Sequence, residues 1–520
     1  MKNIKKIGLL LAVFYSVLSI GSNKPSKIFT LTNQNDTSVK IDTSKINAFF
    51  IKYPKFAVYR NEVKQLYSRH SYYIWYDNKG VIEFAQILYN RVVQISDEGL
   101  PIQIPYTEQL HNIFAHQTSK PEIDSELLIS AMYFFYTEKV FSGLALSESR
   151  NTGWYLPRER ISYAAYLDTV VKNEDFPKEF KPEYFNQYHN LKKALWRYRE
   201  MEKKGGWQTA TFSKGIEVLK EGDSSVTIMQ IRNRLFVEGF LASDNRSMVF
   251  EKTILEGIHS YNRLNNRDST NIITPDLLKT LNIAIADRIK TISVNMERCR
   301  WISPRINDAK EYIAVNIPSF RMLYFRDGQP FLISKVVVGK ELHKTIVFSG
   351  EMSYIAFSPY WNVPHSILVK EILPAIKKDP DYLRKQNMEW ANGQVRQKPG
   401  GNNALGHVKF MFPNSNNIYL HDSPAKTYFG KEKRAFSHGC IRVAKARELA
   451  LAIMKKESNW STEEVDLALN GKKEKEYLLK EKIPVYIAYF TAWSDENGNV
   501  AFYEDVYARD ERLSQVLFKN

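Results

Sequence analysis

The chain has 520 residues, 44% of them hydrophobic and 25% charged, which excludes a disordered or fibrous protein and leaves room for several domains of about 100–200 residues each. Its formal charge of +16 favours acidic partners such as anionic surfaces or wall polymers, although net charge speaks to association and not to fold. No Lys/Arg block interleaved with aromatics forms a nucleic-acid groove, so no nucleic-acid partner is expected.

Lys2, Lys5 and Lys6 precede an apolar run from Ile7 to Ile20, and no acidic residue appears before Asp36. This is the layout of a secretory signal. As a helix the run would span about 21 Å, short of the roughly 30 Å hydrocarbon core. Residues 1–22 are therefore expected to be a signal peptide cleaved near Ser19-Ile20-Gly21, or an uncleaved signal-anchor that would be the only membrane attachment. Either way the body is expected to be exported, to a periplasm or cell envelope. Residues 23–44, rich in Ser, Thr, Asn and Lys, read as a linker.

From 45 to 205 the pattern is helical, as in Glu83-Phe84-Ala85-Gln86-Ile87-Leu88 and in the run from Glu126 to Phe134. No cluster there has catalytic character, and its many Tyr and Phe read as core. Residues 206–283 carry a three-helix pattern. The turn Glu221-Gly222-Asp223-Ser224-Ser225 caps a stripe of Val226, Ile228, Ile231 and Leu235, which Gly239 ends. Phe250, Ile254, Ile258 and Tyr261 form a second stripe, and Thr274-Pro275-Asp276 starts a third helix with Leu277, Leu278 and Leu281. Such a unit resembles a small peptidoglycan-binding repeat domain, which implies wall binding; the alternative is a structural spacer.

From 290 to 520 strands dominate: Tyr312 to Ile317 alternates, Val336-Val337-Val338-Gly339 is a buried run, and His407 to Phe412 alternates again. Ile418-Tyr419-Leu420 leads into His421, and Pro484 to Tyr489 is a late strand. Residues 365–403, rich in Lys, Pro and Gly, interrupt this pattern as an inserted subdomain or lid. The expected fold is thus multidomain α+β: a helical scaffold, a small three-helix domain and a mostly-β domain carrying the insert.

The chemistry sits in His421-Asp422-Ser423-Pro424 and, after a basic loop, Ser437-His438-Gly439-Cys440-Ile441-Arg442. A thiol with its ordinary pKa of about 8.5 is a poor nucleophile at neutral pH unless a base or cation assists it. His421 follows a strand, and the loop to Cys440 is long enough to fold back, so imidazole and thiol can meet across neighbouring strands. Gly439 permits a tight turn, and backbone N–H groups at Gly439 and Cys440 can then face a developing oxyanion. With only Cys299 and Cys440 in the chain, a disulfide framework is excluded; one bridge remains the competitor of a free thiol. A zinc set of His421, His438 and Cys440 lacks a fourth ligand and finger spacing, so neither metal nor cofactor is expected.

These segments resemble the L,D-transpeptidase catalytic domain of the YkuD type. Asn295-Met296-Glu297-Arg298, Val315-Asn316-Ile317-Pro318, Asn362-Val363-Pro364, Leu405 to Phe410, Phe412-Pro413-Asn414 and Tyr419 to Asp422 are similar to the large, YcbB-like branch, as is the domain order. Cys299 departs from it, standing where an aromatic residue is expected. The resemblance implies that the three-helix unit is peptidoglycan-binding. It also implies that Cys440 attacks the diaminopimelate carbonyl of a tetrapeptide stem, releases D-alanine and passes the acyl group to a second stem as a 3→3 cross-link. His421 is then the base, oriented by the Asp422 carbonyl, with His438, Gly439 and Cys440 as main-chain oxyanion donors and carbapenem-type β-lactams as covalent inhibitors. Ser437 and Arg442 are second-sphere or substrate-contact candidates, and Arg442 could equally be an internal ion-pair partner. Tyr360, Trp361 and Asn362 are candidates for the stem-peptide groove, the two aromatics alternatively for core. Hydrolysis by the same acyl-enzyme, as in an L,D-carboxypeptidase, exchange with a free D-amino acid and a non-catalytic wall-binding scaffold remain the competing functions.

Overall fold

The computed structural model describes residues 40–77, 79–115, 122–158, 162–172 and 183–518. The expected signal segment and most of the expected linker lie outside the described residues. Among the described residues no helix is long and apolar enough to cross a membrane.

The N-terminal part is helical, as its periodicity suggests. Its centre is the helix Ile123–Thr137, buried on every side from Glu126 onward. A helix apolar all round belongs inside a core. Its one buried carboxylate is kept there because Glu126 accepts the Ile74 and Trp75 N–H groups at 2.6 and 3.2 Å and the Tyr67 hydroxyl at 2.5 Å. Burial still pushes this carboxyl up to about 7.

The three-helix unit forms with the expected punctuation. Val226–Glu238 is capped by the Ser225 hydroxyl and stopped by Gly239 at φ 89°; Pro275–Leu281 is capped by Thr274. Phe250 lies just ahead of the middle helix, Lys252–Leu264, rather than on it. Ile228, Ile231, Leu235, Phe250, Ile254, Ile258 and Leu277 close a core of their own.

The scaffold and the β-rich part are less separate than a boundary near 205 suggests: one continuous apolar core runs through both. The helix Ile285–Arg300 is the strut between them. Trp154, from the scaffold, meets Trp301 and Phe490 edge-on with ring centres 5.4 and 5.9 Å apart, and Tyr155 N–H donates to Val347 O at 2.9 Å.

The C-terminal strands as far as Ala488, in chain order, are β1 (Tyr312–Asn316), β2 (Arg321–Arg326), β3 (Gln329–Gly339), β4 (Phe348–Phe357), β5 (Trp361–Asn362), β6 (Met388–Ala391), β7 (Gln394–Gln397), β8 (Val408–Met411), β9 (Leu420–His421), β10 (Ala435–Ser437), β11 (Ile441–Val443) and β12 (Lys475–Ala488). Nine of them make one sheet in the order β10-β3-β11-β9-β8-β4-β12-β1-β2, and β2 also pairs with β3, curling the sheet onto itself like a barrel. The insert begins at Trp361, earlier than the expected 365. Strands β6, β7 and β5 form its small sheet, and Val363, Ile372, Met388 and Val395 its core. Asn392 and Gly393, at φ 49° and 77°, make its β6–β7 turn, the left-handed pair a tight hairpin requires. At its neck the buried Asn403 amide donates to Pro359 O and Lys398 O at 3.0 Å each.

Candidate functional site

Strand register assembles the site. β9 runs parallel to β11, placing Leu420 beside Ile441 and His421 beside Arg442. On its other side β8 is antiparallel, placing Lys409 opposite His421. The turn Ser437 to Cys440 enters β11 from β10 and needs Gly439, which adopts φ 118°, a conformation closed to most side chains. A cavity of about 700 Å³ opens here, lined among others by Cys440, His421, Lys409, Tyr419, Arg442 and Trp361.

His421 is buried, and its Nδ1 is hydrogen-bonded to the Asp422 carbonyl. A carbonyl only accepts, so Nδ1 carries the proton and Nε2 keeps the lone pair. Burial, reinforced by Arg442, pushes the imidazole down to about 3, so it is neutral at physiological pH. The Asp422 carboxylate does other work: it accepts the His407 N–H at 3.0 Å and pairs with Lys426. Gly406, at φ 64°, lies against it; a Cβ there would collide with that carboxyl.

Cys440 is half-buried and, like Cys299, has a free thiol, so no bridge joins them. Its Sγ donates to Asn417 O at 3.6 Å, not to the imidazole. Burial pushes the thiol up, while Tyr419, Lys409 and Arg442 pull it back down. Thiol and imidazole are thus both neutral at rest, facing one cavity. The Cys299 thiol is sealed in the strut helix, and burial pushes it far above its ordinary range.

Several expected roles change. Gly439 N–H donates to Ser437 Oγ at 3.1 Å and so does not face the cavity as an oxyanion donor. The N–H groups of His438 and Cys440 have no hydrogen-bond partner among the described residues. Ser437 borders the cavity, and its hydroxyl also donates to Cys440 O at 2.6 Å, so that it shapes the turn. Tyr360 does not line the cavity: the Arg396 guanidinium stacks on its ring at 4.2 Å and its N–H donates to Glu474. Trp361 and Asn362 do line it. Arg442 has no ion pair among the described residues; it lines the cavity, its charge disfavoured by burial. His438 borders the cavity, its Nε2 3.1 Å from Glu371 Oε1 of the insert. Among the described residues no group of three His, Cys, Asp or Glu side chains is placed to hold a metal.

Sequence reasoning missed Lys409, Tyr419 and Thr345. The fully buried Thr345 Oγ1 accepts Gly339 N–H and donates to Gly439 O, both at 2.9 Å, bracing the turn from behind. Lys409 carried one signal: a charge at mid-strand between the buried Val408 and Phe410.

Residues 310–465 match the sequence model of the YkuD L,D-transpeptidase catalytic domain, and residues 61–195 that of a scaffold domain. The two matches place similarity to the YkuD-type catalytic domain in the C-terminal region and similarity to the scaffold domain in the N-terminal region. A curated putative L,D-transpeptidase of Haemophilus influenzae is 34% identical over 244 residues, 43% of this chain and 48% of that protein. The chain spans about half the length of that curated relative. Among solved structures, an L,D-transpeptidase of Xylanimonas cellulosilytica is 9% identical with a TM-score of 0.17, covering 53% of this chain and 100% of that one. An L,D-transpeptidase of Stackebrandtia nassauensis is 11% identical with a TM-score of 0.20, covering 52% and 96%.

Proposed function

We propose that the protein is an exported peptidoglycan L,D-transpeptidase working through a Cys440 acyl-enzyme in the periplasm or cell envelope. The thiol rotates from Asn417 O toward His421 Nε2 and gives up its proton as the sulfur attacks the stem-peptide carbonyl at the third residue. The same proton passes from Nε2 to the departing amine, D-alanine leaves, and a thioester remains. The side-chain amine of a second stem attacks the thioester, its proton goes to Nε2 and then to sulfur, and the 3→3 cross-link is released with the enzyme restored. The Cys440 and His438 N–H groups receive the oxyanion; one such donor is typically worth about 10²–10³ in rate. The insert acts as a lid, tied to the turn through Glu371 and His438.

The observation that carries this reading is the imidazole. Its Nδ1 is committed to the Asp422 carbonyl, leaving an unprotonated Nε2 on a ring that lines the cavity of Cys440. The test is intact-mass analysis with a carbapenem, followed by muropeptide analysis with tetrapeptide-bearing stems. A Cys440 adduct and 3→3 dimers are expected. Trimmed tripeptides without dimers would favour an L,D-carboxypeptidase, and no adduct at all would leave a wall-binding scaffold.

A further inference from the structure

The cavity holds two cations that the reaction above does not use. Lys409 has no ion-pair or hydrogen-bond partner among the described residues; its Nζ rests on the Tyr419 ring, 4.3 Å from its centre. Glu474 and Glu476 act on it only from a distance, and burial is the largest influence, disfavouring its charge. Arg442 is half-buried, its Nε is buried with no hydrogen-bond partner among the described residues, and its guanidinium lies 5.9 Å from the Tyr428 ring centre. Both residues line the cavity with Cys440 and His421.

Arg234, Arg298 and Arg300, buried elsewhere, each have a carboxylate: Glu238 at 2.6 Å, Asp510 at 2.7 Å and Glu297 at 2.9 Å. Uncompensated cations drawn out of water are costly. Two of them facing one cavity are accounted for by an anionic ligand. The thiolate alone does not suffice, because it forms only in passing and the resting thiol is neutral.

We propose that Lys409 and Arg442 form a cradle for the free carboxylate of the donor's last residue, the one that leaves. This rests on the transpeptidase reading and adds how the donor is chosen. In a donor ending one residue past the attacked carbonyl, N–Cα–C geometry puts that carboxylate about 4 Å from the carbonyl carbon. A cation that reads it must therefore stand beside the nucleophile, as these two do. A stem longer by one residue has a neutral amide at that place. Binding it leaves both cations desolvated without a counter-charge, so the cradle selects tetrapeptide over pentapeptide donors. Arg442 offers a planar fork and Lys409 a mobile point charge.

The test uses the full chain. Acylation is followed by intact mass with a stem tetrapeptide and with the same peptide carrying a C-terminal amide. The wild type is expected to prefer the acid by at least about tenfold, the effect of one hydrogen bond to a charged group. Lys409→Met should bring that preference toward parity, and Lys409→Arg should retain it. An unchanged preference in Lys409→Met, or an equal fall for both donors, would overturn the proposal, since Lys409 would then act on the thiol alone. A substrate-free measurement separates this from the transpeptidase reading: the rate of Cys440 alkylation by iodoacetate divided by that for iodoacetamide. Thiol ionisation cancels in the ratio. It should fall in Lys409→Met and in Arg442→Met; should it do so while neither peptide acylates the enzyme, the transpeptidase reading fails, the donor assignment falls with it, and a carboxylate site at these two cations is what remains. A ratio unmoved in both variants sinks the cradle.

Discussion

The two cysteines sit in similar company in sequence and in opposite company in space. Cys299 lies between Arg298 and Arg300, and Cys440 two residues before Arg442. At the first, both arginines are spoken for, Arg298 by Asp510 and Arg300 by Glu297, and the thiol is sealed inside the strut helix. At the second, the arginine has no carboxylate among the described residues, a lysine joins it from two strands away across His421, and a cavity opens on the sulfur. An adjacent positive charge therefore does not make a thiol reactive. What counts is whether that charge is already neutralised and whether a substrate can arrive.

The largest effect that could break this contrast is removal of either sulfur. Cys440→Ser should lower acylation by a carbapenem by about 10⁴-fold or more, as loss of a nucleophile does, while Cys299→Ser should stay within about twofold on the same intact-mass assay. Equal losses would erase the difference between the two sites. Next comes the support of the base. Gly406→Ala drives a Cβ into the Asp422 carboxyl and shifts the carbonyl that holds His421; acylation should fall by about 10²-fold, the cost of roughly 1 Å of misplacement.

Acid sharpens the comparison further, because only the cavity site contains a buried neutral imidazole. The folded pKa of His421 is about 3, against about 6.5 unfolded. The unfolded chain therefore binds the extra proton first, and stability present above pH 6.5 is lost as pH falls toward 3. Between pH 7 and pH 5 this amounts to about 2 kcal/mol. Denaturant unfolding of His421→Gln at the two pH values should show that much less acid sensitivity than the wild type. The smallest effect concerns the brace behind the turn. Thr345→Val removes the hydroxyl between Gly339 and Gly439, and should cost about 1–2 kcal/mol of stability and about tenfold in acylation rate. An unchanged rate would mean that the turn holds its shape without it.

The residues of the site were more legible than their roles. Glycine before the thiol, and a strand ending in histidine, are local features, and both segments do meet on paired strands. The caps at Ser225 and Thr274 and the stop at Gly239 were equally plain, since a cap acts within a few residues of its own helix. Tyr360 misled because an aromatic beside a site can turn to either face of its segment, and Arg396, from the insert hairpin, draws it away. Gly439 misled because its N–H had a nearer acceptor in the Ser437 hydroxyl.

The sequence by itself determined the helical scaffold, the three-helix unit, the interrupted β-rich domain and the pair of residues that carry the proposed chemistry. Spacing, periodicity and turn residues are properties of short stretches of chain. Only the tertiary structure decided which charges are neutralised, which N–H groups remain open, and that Lys409 stands opposite His421. Those depend on strand register and on partners far along the chain, and the energy of a charge or a donor is set by what faces it, not by what precedes it.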